Sequence, residues 1–231
     1  MTRTPSPPSA RCSILAIASA CASLVASTSA LAVPVTGQLQ IAGAMTFSRS
    51  GIDFLPADTG TGSFFVVAGT GTFAPMVGMT GAIKDVAPPP ASIATPSLLT
   101  LPGGVHFDST TLYPGVFTAA ACGAAPAAGQ TCTLANVPVN LTNLTPSMST
   151  LSFAGAGSFV SGTDVTPYTA VLTAQFANMS YQTLIATLQA GGTVTTSYSA
   201  SLAPIPEPGT LAMMLAGVGA VGFIARRLKS R

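Results

Sequence analysis

The chain has 231 residues, 48% hydrophobic and only 6% charged, with eight Lys and Arg against six Asp and Glu for a formal net charge of +2. Six of those basic residues stand near the ends. Residues 33–203 hold Arg49 and Lys84 against Asp53, Asp58, Asp85, Asp108 and Asp164, a net charge of −3 that excludes a nucleic-acid-binding face.

The first predicted element is a secretory signal peptide over residues 1–32. Arg3 and Arg11 form its charged start, Cys12–Val25 its apolar run, and Ala30-Leu31-Ala32 its small-x-small site, with cleavage before Val33. Export places the remaining chain in an oxidising compartment. Cys12 and Cys21 leave with the signal, and Cys122 and Cys132 bracket a loop of small residues, so a disulfide between them is expected.

Residues 33–203 suffice for one domain with a core. They are rich in Thr, Ser, Gly, Ala and Val and are repeatedly broken by Gly and Pro. Leu39, Ile41, Met45 and Phe47 alternate within 36–48, as do Ala170, Leu172, Ala174 and Phe176 within 168–179. Period two marks strands with one buried face. Further strands are predicted over 62–68, 71–74, 104–107, 116–119, 131–144, 151–160 and 194–202, separated by turns at Ser50-Gly51, Thr59-Gly60, Pro102-Gly103-Gly104, Pro114-Gly115 and 161–164. The segment 86–102, with five prolines, is expected to be an extended surface loop. One short helix is predicted over 181–190, where Leu184, Ile185 and Leu188 recur at helical spacing before Gly191-Gly192. The fold class is therefore all-β, an antiparallel β-sandwich-like single domain with one short helix.

Catalytic constellations are hard to assemble from this inventory. His106 is the one histidine; alternation puts it on the same strand face as Asp108, but no nucleophile elbow accompanies them. Asp58-Thr59-Gly60 matches one loop of an aspartic-protease dyad and lacks the second. No metal site and no cofactor are expected: the cysteines offer too few partner ligands for zinc, and no Asp-rich loop gathers oxygens for calcium. Asn140, Asn143 and Asn178 each begin an Asn-x-Ser/Thr acceptor pattern.

The last segment, 204–231, is the most informative. A rigid Pro206-Glu207-Pro208 is followed by an uncharged apolar stretch over 209–225, which includes Leu211, Leu215, Val218, Val221, Phe223 and Ile224, and then by Arg226, Arg227, Lys229 and Arg231. Seventeen residues lie at the short end of what spans a hydrocarbon core, and the cations are expected to stay cytoplasmic. The segment shows no polar face for a water-exposed helix, so a transmembrane helix is preferred over a buried core helix.

This ordered triplet resembles the PEP-CTERM sorting signal of bacteria. The resemblance implies that an exosortase-like membrane transpeptidase acts at or near Pro206-Glu207-Pro208. The chain would then pass through the inner membrane, be transiently anchored there, and reach the cell surface or the extracellular space. The resemblance also associates the protein with exopolysaccharide and biofilm. Ile52-Asp53-Phe54, Gly62-Ser63-Phe64-Phe65-Val66-Val67, Gly71-Thr72-Phe73-Ala74 and 81–86 look like the mature region of other such proteins, for which no activity carries over. The leading expectation is a non-enzymatic surface or matrix protein. A carbohydrate-binding adhesin using Tyr113 and Phe117 is the first alternative, and a surface hydrolase the second.

Overall fold

The computed structural model describes residues 34–57, 60–87, 94–134, 139–206 and 215–218. The predicted signal peptide and its cleavage site at Ala30, Ala32 and Val33 lie outside them, as do Asp58, Thr59, Glu207 and Pro208. So does the predicted membrane helix over 209–225 except for residues 215–218, which are helical.

Eleven strands appear among the described residues: β1 (Leu39–Ser48), β2 (Gly51–Phe54), β3 (Thr61–Gly69), β4 (Thr80–Lys84), β5 (Thr95–Thr100), β6 (His106–Leu112), β7 (Thr131–Thr133), β8 (Asn140–Thr145), β9 (Met148–Ser161), β10 (Asp164–Phe176) and β11 (Val194–Pro204). One helix, α1 (Tyr181–Gln189), separates the last two. Eight strands close an antiparallel barrel in the order β1-β3-β4-β5-β6-β9-β10-β11 and back to β1. Closure rests on the last three strands, all long: β9 pairs with both β6 and β10, and β11 with both β10 and β1. The all-β prediction is correct, but the sandwich is replaced by a barrel. Both architectures show the same inward–outward alternation, and only the register between distant strands tells them apart.

The inward face follows the predicted pattern. Leu39, Ile41, Met45 and Phe47 of β1, Leu172, Ala174 and Phe176 of β10, and Leu151 and Phe159 of β9 are buried. Two strands then fork. The first half of β1 pairs with β3 and its second half with β2; the second half of β9 pairs with β6 and its first half with β8, which carries β7 on its other edge. The barrel therefore widens at the end formed by β2, β8 and α1.

The opposite end is plugged. Phe73, Phe107, Phe159 and Tyr168 stack there with ring centroids 4.8 to 6.1 Å apart, largely edge-on or tilted as aromatic quadrupoles favour. The entering chain crosses this end: Val35 donates its backbone N–H to Thr166 Oγ1 at 3.1 Å, and the Tyr168 hydroxyl donates to the Gly37 carbonyl at 2.9 Å.

Several local expectations need correction. Residues 71–74 form a 3₁₀ turn (Gly71–Met76) rather than a strand, because Gly71 takes a φ of 56° and Pro75 has no N–H to give a ladder. The 116–119 segment is not a strand; the N–H groups of Val116 and Phe117 bond instead to Asn140 Oδ1 and Thr133 Oγ1. The 131–144 run is two strands, β7 and β8, with residues 135–138 outside the described set. At 104–107, strand pairing begins only at His106, after a turn at Pro102–Gly104. The proline-rich 86–102 stretch contains β5, which is irregular between Thr95 and Leu99 where Pro96 lacks a ladder donor.

Candidate functional site

The widened end of the barrel is organised around one buried amide. Asn143 on β8 is fully buried; its Oδ1 accepts the Tyr181 backbone N–H at 2.9 Å, and its Nδ2 donates to Gln182 Oε1 at 2.9 Å and Gln130 Oε1 at 3.4 Å. Gln182 donates in turn to the Gln130 side chain and the Ala124 carbonyl, while the Tyr181 hydroxyl donates to the Ala121 carbonyl at 2.9 Å. The loop carrying Ala121 and Ala124 is tied to β7 by the expected Cys122–Cys132 disulfide, with Cα atoms 5.2 Å apart. Ser180 caps α1 by accepting the Thr183 N–H, and Gly191, at φ 81°, closes its other end by donating to the Leu188 carbonyl.

This frame sets the apolar face of α1, with Leu184, Ile185 and Leu188, over a cavity of about 310 Å³ inside the barrel. Phe47, Phe54, Phe107, Leu151, Phe153 and Leu172 are among its walls. Ser48, Arg49, Ala87 and Gln189 stand at its mouth, the last three exposed. The sequence marked α1, and the one trace of the cavity in it is the small wall residues Ala170 and Ala200. Gly155, also in the wall, is small for another reason, since a Cβ there would come within 2.6 Å of the Thr111 carbonyl oxygen.

The other candidates from sequence fall elsewhere. His106 and Asp108 share the outer face of β6, as alternation required, with His106 Nε2 3.8 Å from Asp108 Oδ1 and both about one-third exposed. The same Asp108 oxygen accepts the Ser97 N–H at 2.6 Å, holding Ser97 at a φ of 50° in the irregular part of β5. That is a structural task. Asp85 likewise accepts the Phe54 N–H, and one buried oxygen of Asp53 has no hydrogen-bond partner. Among the described residues, no three His, Cys, Asp or Glu side chains converge. Of the three Asn-x-Ser/Thr sites, Asn143 is buried beyond reach of any glycan and Asn140 is committed to Val116 and Thr133.

The sorting segment begins where the sheet ends. Ile205, directly after β11, donates its N–H to the Pro167 carbonyl at 2.9 Å, and Pro206 is exposed. No described helix is long and apolar enough to cross a membrane.

No curated protein and no solved structure matches the chain. The family described as the PEP-CTERM protein-sorting motif matches residues 204–229, which take in Pro206-Glu207-Pro208, the apolar stretch, Arg226, Arg227 and Lys229. That motif indicates export, transient anchoring in the membrane through the C-terminus, sorting by an exosortase and delivery to the cell surface. The chain thus carries a PEP-CTERM sorting motif, which follows directly on a β-rich domain.

Proposed function

We propose that the protein is a non-enzymatic surface or extracellular-matrix component: a stable β-barrel carried to the cell exterior and released from its anchor near Pro206-Glu207-Pro208. The carrying observation is the sorting motif placed immediately after the last barrel strand. The structural roles of Asp108 and Asp85 support the non-enzymatic reading, because the carboxylates nearest to a reactive arrangement are occupied in holding backbone. Association with exopolysaccharide in a biofilm is part of this proposal. Intact-mass measurement on protein recovered from its native cells tests the processing step. A mature form lacking 209–231 is expected; a form still ending at Arg231 contradicts it. Loss of surface-attached biomass on deletion of the gene tests the matrix role.

An adhesin reading has one specific observation behind it. Tyr113 and Phe117 are 42% and 37% exposed on the segment after β6. Exposed aromatic rings suit stacking on sugar faces, and a glycan array that gives no signal removes this reading.

A further inference from the structure

Protein interiors are normally packed to the density of organic crystals, with few voids larger than a water molecule. A chamber of about 310 Å³ in a small barrel therefore stands out. An engineered apolar cavity of about 150 Å³ stays dry and binds benzene, and natural ligand pockets begin at about 300 Å³. This chamber has about twice the volume of the benzene site, and its interior wall is almost wholly hydrocarbon and aromatic ring. Ser109 is a polar side chain within the wall, whereas Ser48, Arg49 and Gln189 lie at the mouth. Water needs two to four polar partners to occupy such a space, and the wall is poor in them.

The tube runs from Phe107, which also packs on Phe159 of the aromatic plug, to the apolar face of α1, with exposed Arg49, Ala87 and Gln189 on its rim. Charge is placed at one point. Of the two basic residues among the described ones, Lys84 donates to the Pro96 carbonyl at 2.7 Å, while exposed Arg49 borders the opening. A guanidinium at the mouth of an apolar tube fits a ligand with a hydrocarbon body and a planar anionic head, since Arg binds carboxylate through paired N–H groups.

We propose that the barrel binds a single-chain aliphatic carboxylic acid, its chain in the cavity between α1 and the β9–β10–β11 wall and its carboxylate at Arg49. Scaling from the benzene site, the space admits on the order of a dozen carbons. The binding is non-covalent, and the chain restores the dispersion contacts that the empty tube lacks. It is independent of how the tail is processed.

The test uses the full chain held in an amphipathic polymer and a diazirine-bearing fatty acid of about twelve carbons, matching the volume estimate, with cross-linked peptides mapped by mass spectrometry. Saturable labelling of the segments around Leu151–Gly155, Ala170–Leu172 and Leu184–Leu188 is expected, removed by excess dodecanoate and much less by dodecanol. R49E is expected to weaken labelling about tenfold, the size of a lost charge-assisted hydrogen bond. A170W fills the chamber and is expected to abolish labelling; should that variant not fold, R49E decides alone, because its side chain is exposed. Labelling confined to 209–225, or no saturable labelling, overturns the cavity assignment. Equal competition by dodecanoate and dodecanol with no effect of R49E overturns the carboxylate assignment.

Discussion

Tyr168 and Tyr198 are both buried in the barrel, yet their hydroxyls meet different surroundings. That of Tyr168 donates to the Gly37 carbonyl, with the Val35 carbonyl 3.3 Å away, whereas that of Tyr198 has no partner. Removing one half of a buried hydrogen bond costs about 1–3 kcal/mol, but removing an unpaired polar atom costs nothing and relieves a desolvation penalty. Y168F is therefore expected to lose about 1–2 kcal/mol in urea unfolding, and Y198F to be neutral or more stable. Burial also raises both phenols, Tyr168 to about 12 and Tyr198 further. Unfolded tyrosine ionises near pH ~10, so above that pH the unfolded chain sheds protons that the folded chain keeps. Stability is then fully present below pH ~10 and falls as pH rises towards 12. An alkaline titration followed by circular dichroism is expected to show this fall, shallower in Y198F than in the parent; a flat profile to pH ~12 contradicts it. The sequence could not rank these two tyrosines, because the carbonyls that distinguish them belong to the incoming strap at 35–37. Asn143 shows the same blindness: its sequence context reads as a glycan acceptor, and only the fold reveals it as a buried amide bridging β8 to α1.

At the scale of elements, legibility tracked length and local chemistry. The long alternating strands β1, β9, β10 and β11 and the helix α1 were visible because each carries its own period and, for α1, its own stop signal at Gly191-Gly192. Strands β2, β4 and β5 were not predicted: β2 and β4 carry only one or two inward apolar residues, Ile52 and Phe54 or Ile83, and β5 lies in the proline-rich stretch that reads as a loop. The Cys122–Cys132 disulfide was expected from composition, but its consequence was not. The loop that it closes presents the Ala121 and Ala124 carbonyls to Tyr181 and Gln182, so the covalent link and the helix over the cavity share one frame. A C122S/C132S double variant is expected to lose about 2–3 kcal/mol on the loop-entropy account. Amide exchange over 181–189 is expected to rise before that of β9 or β10. Uniform acceleration across the barrel would show that the disulfide acts on the unfolded chain alone and does not support the helix.

At the scale of the molecule, the barrel brings the two ends of its own chain segment, Val35 and Pro204, to one side. Val35 bonds to Thr166, and Pro204 pairs with Tyr168, so chain entry and exit both lie at the aromatic plug, opposite the cavity mouth. This could not be read from the sequence, because it depends on the register by which β11 joins β10 to β1. That register also limits where the tail can be cut without harm. The last ladder pairing is Tyr168 with Pro204, and Ile205 adds one further hydrogen bond to Pro167. A chain ending at Pro206 thus retains every barrel pairing of β11, and it is expected to match the full-length protein in protease resistance and urea midpoint. A chain ending at Ser197 loses Tyr198, Ala200 and Leu202 from the core together with most of both ladders of β11. It leaves β1 and β10 as facing open edges, the state that invites pairing between chains, and is expected to aggregate. If truncation at Pro206 lowered the urea midpoint, residues beyond it would contribute to the fold. Cutting at the sorting motif would then release a weakened barrel rather than an intact one.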